Sequence, residues 1–313
     1  MRRQSNCENV MLVPPRLSTE ISSPLSSRPW APYKHLVGGA DPRLGSSTCL
    51  YFDGVPYDRL FGPMLDLVQE WFGRFDFKPK VLLVDGDKQT LSSRYSMKSL
   101  KEAVAQKDIV EAIEAVQFFP KGRTTVDDTW RPSIYFALSR RNPASAFFAV
   151  NTALSEERTV GLLLEGDKVL ESSAAYGFLF PTWFSPLGYY WGISVDPSYK
   201  VLGKWGSRES QRLSYWRDNT VIGIEQGGRR RTFSACDGYV RDVFPLMLLG
   251  ERQLSRPMAG RMLVDFVQET GVGENSSQNG KLLWRVRNEA LTCAQEALDA
   301  AGLTLSGRPL DIG

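Results

Sequence analysis

Apolar residues recur at helical spacing at Leu60, Phe61, Met64, Leu65, Val68, Trp71 and Phe72, and Gly73 follows where a helix C-terminal cap belongs. This predicts a helix, preceded by a short strand at Cys49 to Phe52. Val81-Leu82-Leu83-Val84 is a β-branched run ended by Asp85-Gly86, a hairpin-turn pair. Leu100, Val104, Ile109, Val110, Ile113 and Val116 predict a helix from about Ser99 to Val116, and Pro120 bars its continuation. Strands are expected at Ser133 to Leu138 and at Ala146 to Asn151.

The second half repeats the mixture. Thr220 to Glu225 and Arg230 to Ala235 flank Gly227-Gly228 as a hairpin. Ser255 can cap a helix with Pro257 near its first position, with Met258, Met262, Leu263, Phe266 and Val267 as the buried face and Gly271 as the end. Leu282 to Val286 reads as a strand. A last helix from about Asn288 to Ala301 carries Ala290, Cys293, Ala294, Ala297 and Leu298 on one side, with Gly302 as stop. Helices and strands mix without a βαβ rhythm, so the expected class is α+β: a mixed, largely antiparallel sheet packed with several helices.

Prolines at 14, 15, 24, 29, 32 and 42 interrupt any element before residue 45, so residues 1–45 read as an irregular Pro/Ser-rich leader. Residues 46–313 then form the α+β body, whose halves, about 46–175 and 176–313, are candidate subdomains. One internal echo is visible. Val81 to Ser93 and Gly161 to Ser173 agree at seven of thirteen places without the match extending further, and two similar strand-turn units would explain it.

Composition removes several classes. Hydrophobic residues at 42% and charged residues at 23% exclude general disorder, and no apolar stretch reaches the ~18–20 residues of a membrane span. The apolar segment Val10 to Val13 is too short for a signal-peptide core, which places the protein in the cytoplasm. Four scattered cysteines (Cys7, Cys49, Cys236, Cys293) without a C-x-x-C point to free thiols, and any histidine-based metal site or triad would have to use the single histidine, His35, which sits in a Pro-rich segment. No G-x-G-x-x-G, P-loop or G-x-S-x-G occurs; enzymes that need no histidine remain open, and no catalytic residue, metal or cofactor is assigned. A net charge of +3, from 38 basic and 35 acidic side chains, is too balanced to predict direct nucleic-acid binding.

Local clusters leave alternatives open. Asp85-Gly86-Asp87-Lys88 and Glu165-Gly166-Asp167-Lys168 could hold a hard cation, but turn chemistry accounts for both. Asp196, Glu209 and Asp218, near Trp191, Trp205 and Trp216, would suit a carbohydrate-active hydrolase, although scattered tryptophans also suit a core. Arg229 to Arg231 could serve a nucleic-acid-binding or scaffold module, or simply form a solvated strand edge. Between Tyr176 and Trp191, eight of sixteen residues are aromatic, punctuated by Pro181, Pro186 and Gly188. They form either an aromatic core corner or a binding surface.

The C-terminal half carries a pattern. It runs Val240-Arg-Asp-Val-Phe-Pro-Leu-Met-Leu-Leu-Gly250, Gln253-Leu254, Gly260 before Arg261 to Glu269, Gly280-Lys-Leu-Leu-Trp-Arg-Val286, and a final Ala300-Ala301-Gly302-Leu303. With Tyr190 to Asp196, this resembles immunity proteins of bacterial polymorphic-toxin and type VI secretion systems, the kind paired with toxins of restriction-endonuclease type. The resemblance covers roughly residues 176–303, and the proline-rich leader departs from it. It implies a non-enzymatic inhibitor whose partner is a cognate effector toxin, a nuclease, and a homodimer is a further candidate assembly. Candidate partner contacts are the acid pairs Asp127-Asp128 and Glu156-Glu157, the aromatics Trp183, Phe184, Tyr189, Tyr190 and Trp191, and the pair Arg241-Asp242. For Arg241-Asp242 a buried structural salt bridge is the alternative.

Overall fold

Strand β1 (Leu44–Tyr51) is buried along nearly its whole length, with Cys49 and Tyr51 facing one hydrophobic cluster and Leu50 the other. Burial on both sides requires a layer on each face of the sheet, and the rest of the chain supplies them. The computed structural model describes residues 44–53, 57–92, 94–121, 133–140, 144–181, 212, 214–226, 229–269, 271–307 and 310.

Nine antiparallel strands form the central sheet in the order β12-β13-β9-β6-β1-β5-β4-β3-β2. They are β1, β2 (Pro79–Gly86), β3 (Ile113–Pro120), β4 (Ile134–Ser139), β5 (Ser145–Val150), β6 (Ala174–Pro181), β9 (Leu246–Leu249), β12 (Gly273–Gln278) and β13 (Lys281–Val286). Strand β6 lies between β1 and β9, so the sheet crosses residue 175 without a break. Two small hairpins, β7 (Ile224–Gln226) with β8 (Arg229–Arg231) and β10 (Pro257–Met258) with β11 (Arg261–Met262), lie outside it.

Helices α1 (Tyr57–Gly73), α2 (Met97–Ala103), α3 (Lys107–Ala112) and α4 (Glu156–Leu170) contribute Trp71, Leu100, Val110 and Leu163 to the cluster on one face. After the one-turn helix α5 (Glu251–Leu254), helices α6 (Leu263–Val267) and α7 (Leu291–Ala300) contribute Phe266, Val267, Ala294 and Leu298 on the other. The class is therefore α+β with a largely antiparallel sheet.

Helix α4 lies against β1 and β6 and is pinned at several points. Ser155 caps it by accepting the Arg158 N–H at 3.3 Å. Glu165 accepts from the Trp71 indole at 3.0 Å and from Arg74 at 2.8 Å, and the buried Asp167 pairs with Lys281 of β13 at 2.8 Å. Gly166 permits the close approach: a Cβ there would stand 2.9 Å from Leu50 Cδ2 and 3.3 Å from Trp71.

Several expectations need correction. The helix expected from Ser99 to Val116 is divided into α2 and α3, and its last part, from Ile113, is strand β3. Val116 and Phe118 pack in the sheet there, while Arg140 donates to the carbonyl of Val110, where the chain leaves α3. Asp85-Gly86 is no two-residue hairpin turn, because α2 and α3 intervene before β3. The helix expected from Pro257 begins only at Leu263, because Pro257-Met258 pairs back on Arg261-Met262. Thr220 to Ile222 sit in a π-helical turn rather than a strand. The echo is not a pair of strand-turn units: Val81 to Gly86 is strand, and Gly161 to Leu170 is helix.

Gly166→Val should force the α4 backbone away from Leu50 and Trp71 and lower stability by about 2 kcal/mol, as over-packed cores do. Urea unfolding followed by tryptophan fluorescence measures this, and an unchanged midpoint would contradict the close packing described.

Candidate functional site

The pair Arg241-Asp242 follows Val240, whose carbonyl and N–H hydrogen-bond Leu305 N–H and the Leu303 carbonyl. This places both charged side chains under the sheet face that carries β9. Arg241 is 1% exposed, and its guanidinium carbon lies 4.2 Å from the Trp216 ring centroid. Asp242 is also buried. It accepts from the Ser306 hydroxyl at 3.0 Å and from Arg212, whose guanidinium also reaches Asp299 of α7 at 2.6 Å.

Asp299 accepts further bonds from Gln295 at 2.8 Å and from Thr304. Gln295 in turn accepts the Val243 N–H at 2.8 Å. Asn219 donates to the Leu305 carbonyl at 2.8 Å and accepts the Leu310 N–H at 3.0 Å. The network ties the segment around 212–219, the stretch 240–243, helix α7 and residues 304–310 together.

Electrostatics follow from this geometry. Burial disfavours the Arg212 charge, but the charges and hydrogen bonds of Asp242 and Asp299 outweigh it and raise its pKa above the usual arginine range. Burial likewise works against the Asp299 carboxylate, and Arg212 more than compensates, so its pKa is lowered. Both carboxylates are engaged internally, an arrangement that fastens chain segments. Arg241 and Asp242 are both buried, and Asp242 forms an ion pair with Arg212.

Beside this network lie Cys49, Tyr51 and Tyr176. The tyrosine hydroxyls are 3.4 Å apart, and Phe244 stacks on the Tyr176 ring at 3.9 Å. Burial pushes the Cys49 thiol up to about 11 and raises Tyr51 as well, with the Arg241 charge acting in the opposite direction. A thiol so placed is protonated at neutral pH and a poor nucleophile. Cys49 and Cys236 are free and buried, whereas Cys293 is disulfide-bonded, which corrects the expectation of four free thiols.

Glu156 and Glu157 occupy the first turn of α4, on the opposite face of the sheet from Asp242. Glu156 pairs with Arg285 of β13 at 2.7 Å, and Glu274 of β12 stands opposite Arg285 in the sheet register. Glu157 is exposed. Its own N–H and the Ser155 hydroxyl hold its carboxyl below the usual range. The structure thus separates two of the expected contact pairs. Asp127, Asp128, Trp183, Phe184, Tyr189, Tyr190, Trp191, Asp196 and Glu209 lie outside the described residues. Of the aromatic run, Tyr176, Phe178 and Phe180 are core residues of β6, a central strand that ends at Pro181.

The two tempting acidic turns also part company. Asp87 closes a turn by accepting from Gln89 N–H and the Thr90 hydroxyl, whereas Asp167 is inside a helix. Among the described residues no group of three or more His, Cys, Asp or Glu is placed to hold a metal, and no helix is long and apolar enough to cross a membrane. Sequence reasoning missed Arg212 and Asp299. The buried Gln295, one turn before Asp299 on an otherwise apolar face, is the available signal for the latter. For Arg212 there was none.

No family model matches the chain, and no curated protein matches it. Among solved structures, the chain is similar to the Pseudomonas aeruginosa T6SS protein PA0821, with 13% identity, coverage of 84% of this chain and 73% of that one, and a TM-score of 0.44. A second similarity is to a structure of the toxic C-terminal tip of CdiA from Pseudomonas aeruginosa in complex with immune protein. It has 15% identity, covers 45% of this chain and 89% of that chain, and has a TM-score of 0.23. At these scores neither similarity transfers a fold or a function.

Removing the Asp299 charge should leave Arg212 partly unmatched in a mostly buried setting, so Asp299→Asn should lower stability at neutral pH by about 3 kcal/mol. Because the Asp299 pKa is depressed on folding, its contribution is present above the unfolded aspartate value of about 3.9 and is lost as pH falls through the folded value. The Asp299→Asn variant should therefore show a shallower acid limb below about pH 4 in urea titrations. Cys49 should resist iodoacetamide in the native protein at mildly alkaline pH and react on unfolding. Rapid native labelling of Cys49, mapped by mass spectrometry, would contradict its burial.

Proposed function

We propose that this chain is an immunity protein that binds a cognate antibacterial effector toxin, a nuclease delivered by a type VI secretion system, and blocks it without turnover. The supporting observation is how residues 240–302, the larger part of the motifs that carry the sequence resemblance, are arranged. They run from the buried Arg241-Asp242 pair through β9, α6, β12 and β13 to α7, along one end of the sheet. That end closes with a strand of sequence Gly-Glu-Asn-Ser-Ser-Gln, most of it outward and polar. The exposed Glu157 and the Glu156–Arg285 pair flank it on one face.

The physics of such a role is stoichiometric. Protection from a lethal enzyme requires nanomolar affinity or better, about −12 kcal/mol, and typically ~1,600 Å² or more of buried surface. A nuclease presents a basic substrate groove, and Glu157 with Glu156 and Glu274 offers acidic groups of the complementary sign at the β12 end. Arg212, bridging Asp242 and Asp299, then serves as the internal clasp behind this end.

Co-purification with the toxin encoded beside it, and rescue of growth on co-expression, test the proposal. A nanomolar complex is expected, with Glu157→Lys slowing association and weakening binding about tenfold, while the loss of an acid from the first turn of α4 lowers the unfolding midpoint only slightly. Absence of binding at micromolar concentration would remove the reading.

A further inference from the structure

At the far end of the sheet from β12, strand β2 hydrogen-bonds only to β3 among the described strands. Its other edge differs in kind from β12: Leu82 is 42% and Leu83 41% exposed, adjacent leucines on a sheet margin. An exposed apolar pair on an open sheet margin is a template for pairing with another strand.

A bulge gives this edge its particular pattern. Val81 opposes Phe118 and Leu83 opposes Gln117, leaving Leu82 as the extra residue. Val81 and Val84 therefore both turn toward the face covered by α1 to α3. Lys80 and Asp85 oppose Phe119 and Ala115 on the other face. In a regular strand, residues five apart point to opposite faces; the bulge brings Lys80 and Asp85 to the same one.

We infer that β2 is the contact by which two copies of this chain pair, antiparallel and edge to edge, about a two-fold axis between Leu82 and Leu83. An isologous contact must be self-complementary, and this strand is. The axis sets Leu82 against Leu83 of the second copy, Val81 against Val84 and Lys80 against Asp85. Every pair joins like with like among apolar residues and opposite charges among polar ones, on a common face because of the bulge. A different protein docking here would need no such symmetry in this strand. An eight-residue margin buries less than the roughly 1,600 Å² of a standard interface, so the dimer is expected to be a reversible, concentration-dependent one. The contact leaves the β12 end open and is independent of the proposed toxin binding.

Sedimentation velocity over a concentration series tests the assignment, with circular dichroism as a folding control. Wild type should form dimers, and Leu82→Lys should abolish them. Lys80→Asp and Asp85→Lys should each weaken dimerisation at least tenfold. An equimolar mixture of the two single variants should recover association as a heterodimer. One variant then presents acids at both positions and the other presents lysines at both, so each charge contact across the axis again joins opposite signs. Hydrogen exchange on the unmodified chain gives a second readout: amides of residues 80–85 should gain protection as concentration rises. A wild type that stays monomeric, a dimer indifferent to Leu82→Lys, or a mixture of folded single variants that does not associate would each overturn it.

Discussion

Burial of β1 on both of its faces is the constraint from which the rest of this structure follows. A strand with Leu50 on one side and Cys49 and Tyr51 on the other is stable only if apolar layers cover both. The chain meets that demand with α1 to α4 on one face and α6, α7 and the stretch before β9 on the other. Of the polar side chains this draws inside on β1, Ser46 is matched locally, whereas the Ser47 and Thr48 hydroxyls have no hydrogen-bond partner among the described residues. Ser46 on β1 accepts the Leu154 N–H at 2.8 Å, just ahead of α4.

Charged groups recruited to the interior act as fasteners between distant parts of the chain. Asp167 couples α4 to β13, and Arg212 joins Asp242 to Asp299 across segments far apart in sequence. Such pairs contribute little net energy over apolar substitutes, yet losing one partner is severe, so they act on register and rigidity more than on the total. Rigidity at the β12 end and a symmetric pattern at the β2 end leave the sheet with two chemically distinct margins. On the proposed reading, one margin serves the partner and the other a second copy of the chain.

Much of the fold was legible wherever one period dominated. The stripe from Leu60 to Phe72 became α1, the runs at 133–138 and 146–151 became β4 and β5, Leu282 to Val286 became β13, and Gly302, at φ +70°, ended the last helix. Reading failed where short apolar runs fit two periods. Ile113 to Phe119 continues a helical stripe on paper, yet it enters the sheet because β2 and β4 bind it from both sides. The acid pair Glu156-Glu157 was visible as charge, whereas its position beside Arg285 was not.

The echoed segments mark the boundary between what residues encode alone and what the assembled chain imposes. Leu-Leu followed by an aliphatic residue, an acid, Gly-Asp-Lys is compatible with strand or helix, and sequence determined only that both copies would carry apolar and acidic faces. At Gly161 to Leu170 the chain continues a helix already capped at Ser155, and Gly166 and Asp167 fit against Leu50 and Lys281. At Val81 to Gly86 the neighbour is β3, and the same kind of sequence extends as a strand. Tertiary structure decided between them, because hydrogen-bond partners and packing surfaces supplied from elsewhere outweigh local preferences of a few tenths of a kcal/mol per residue.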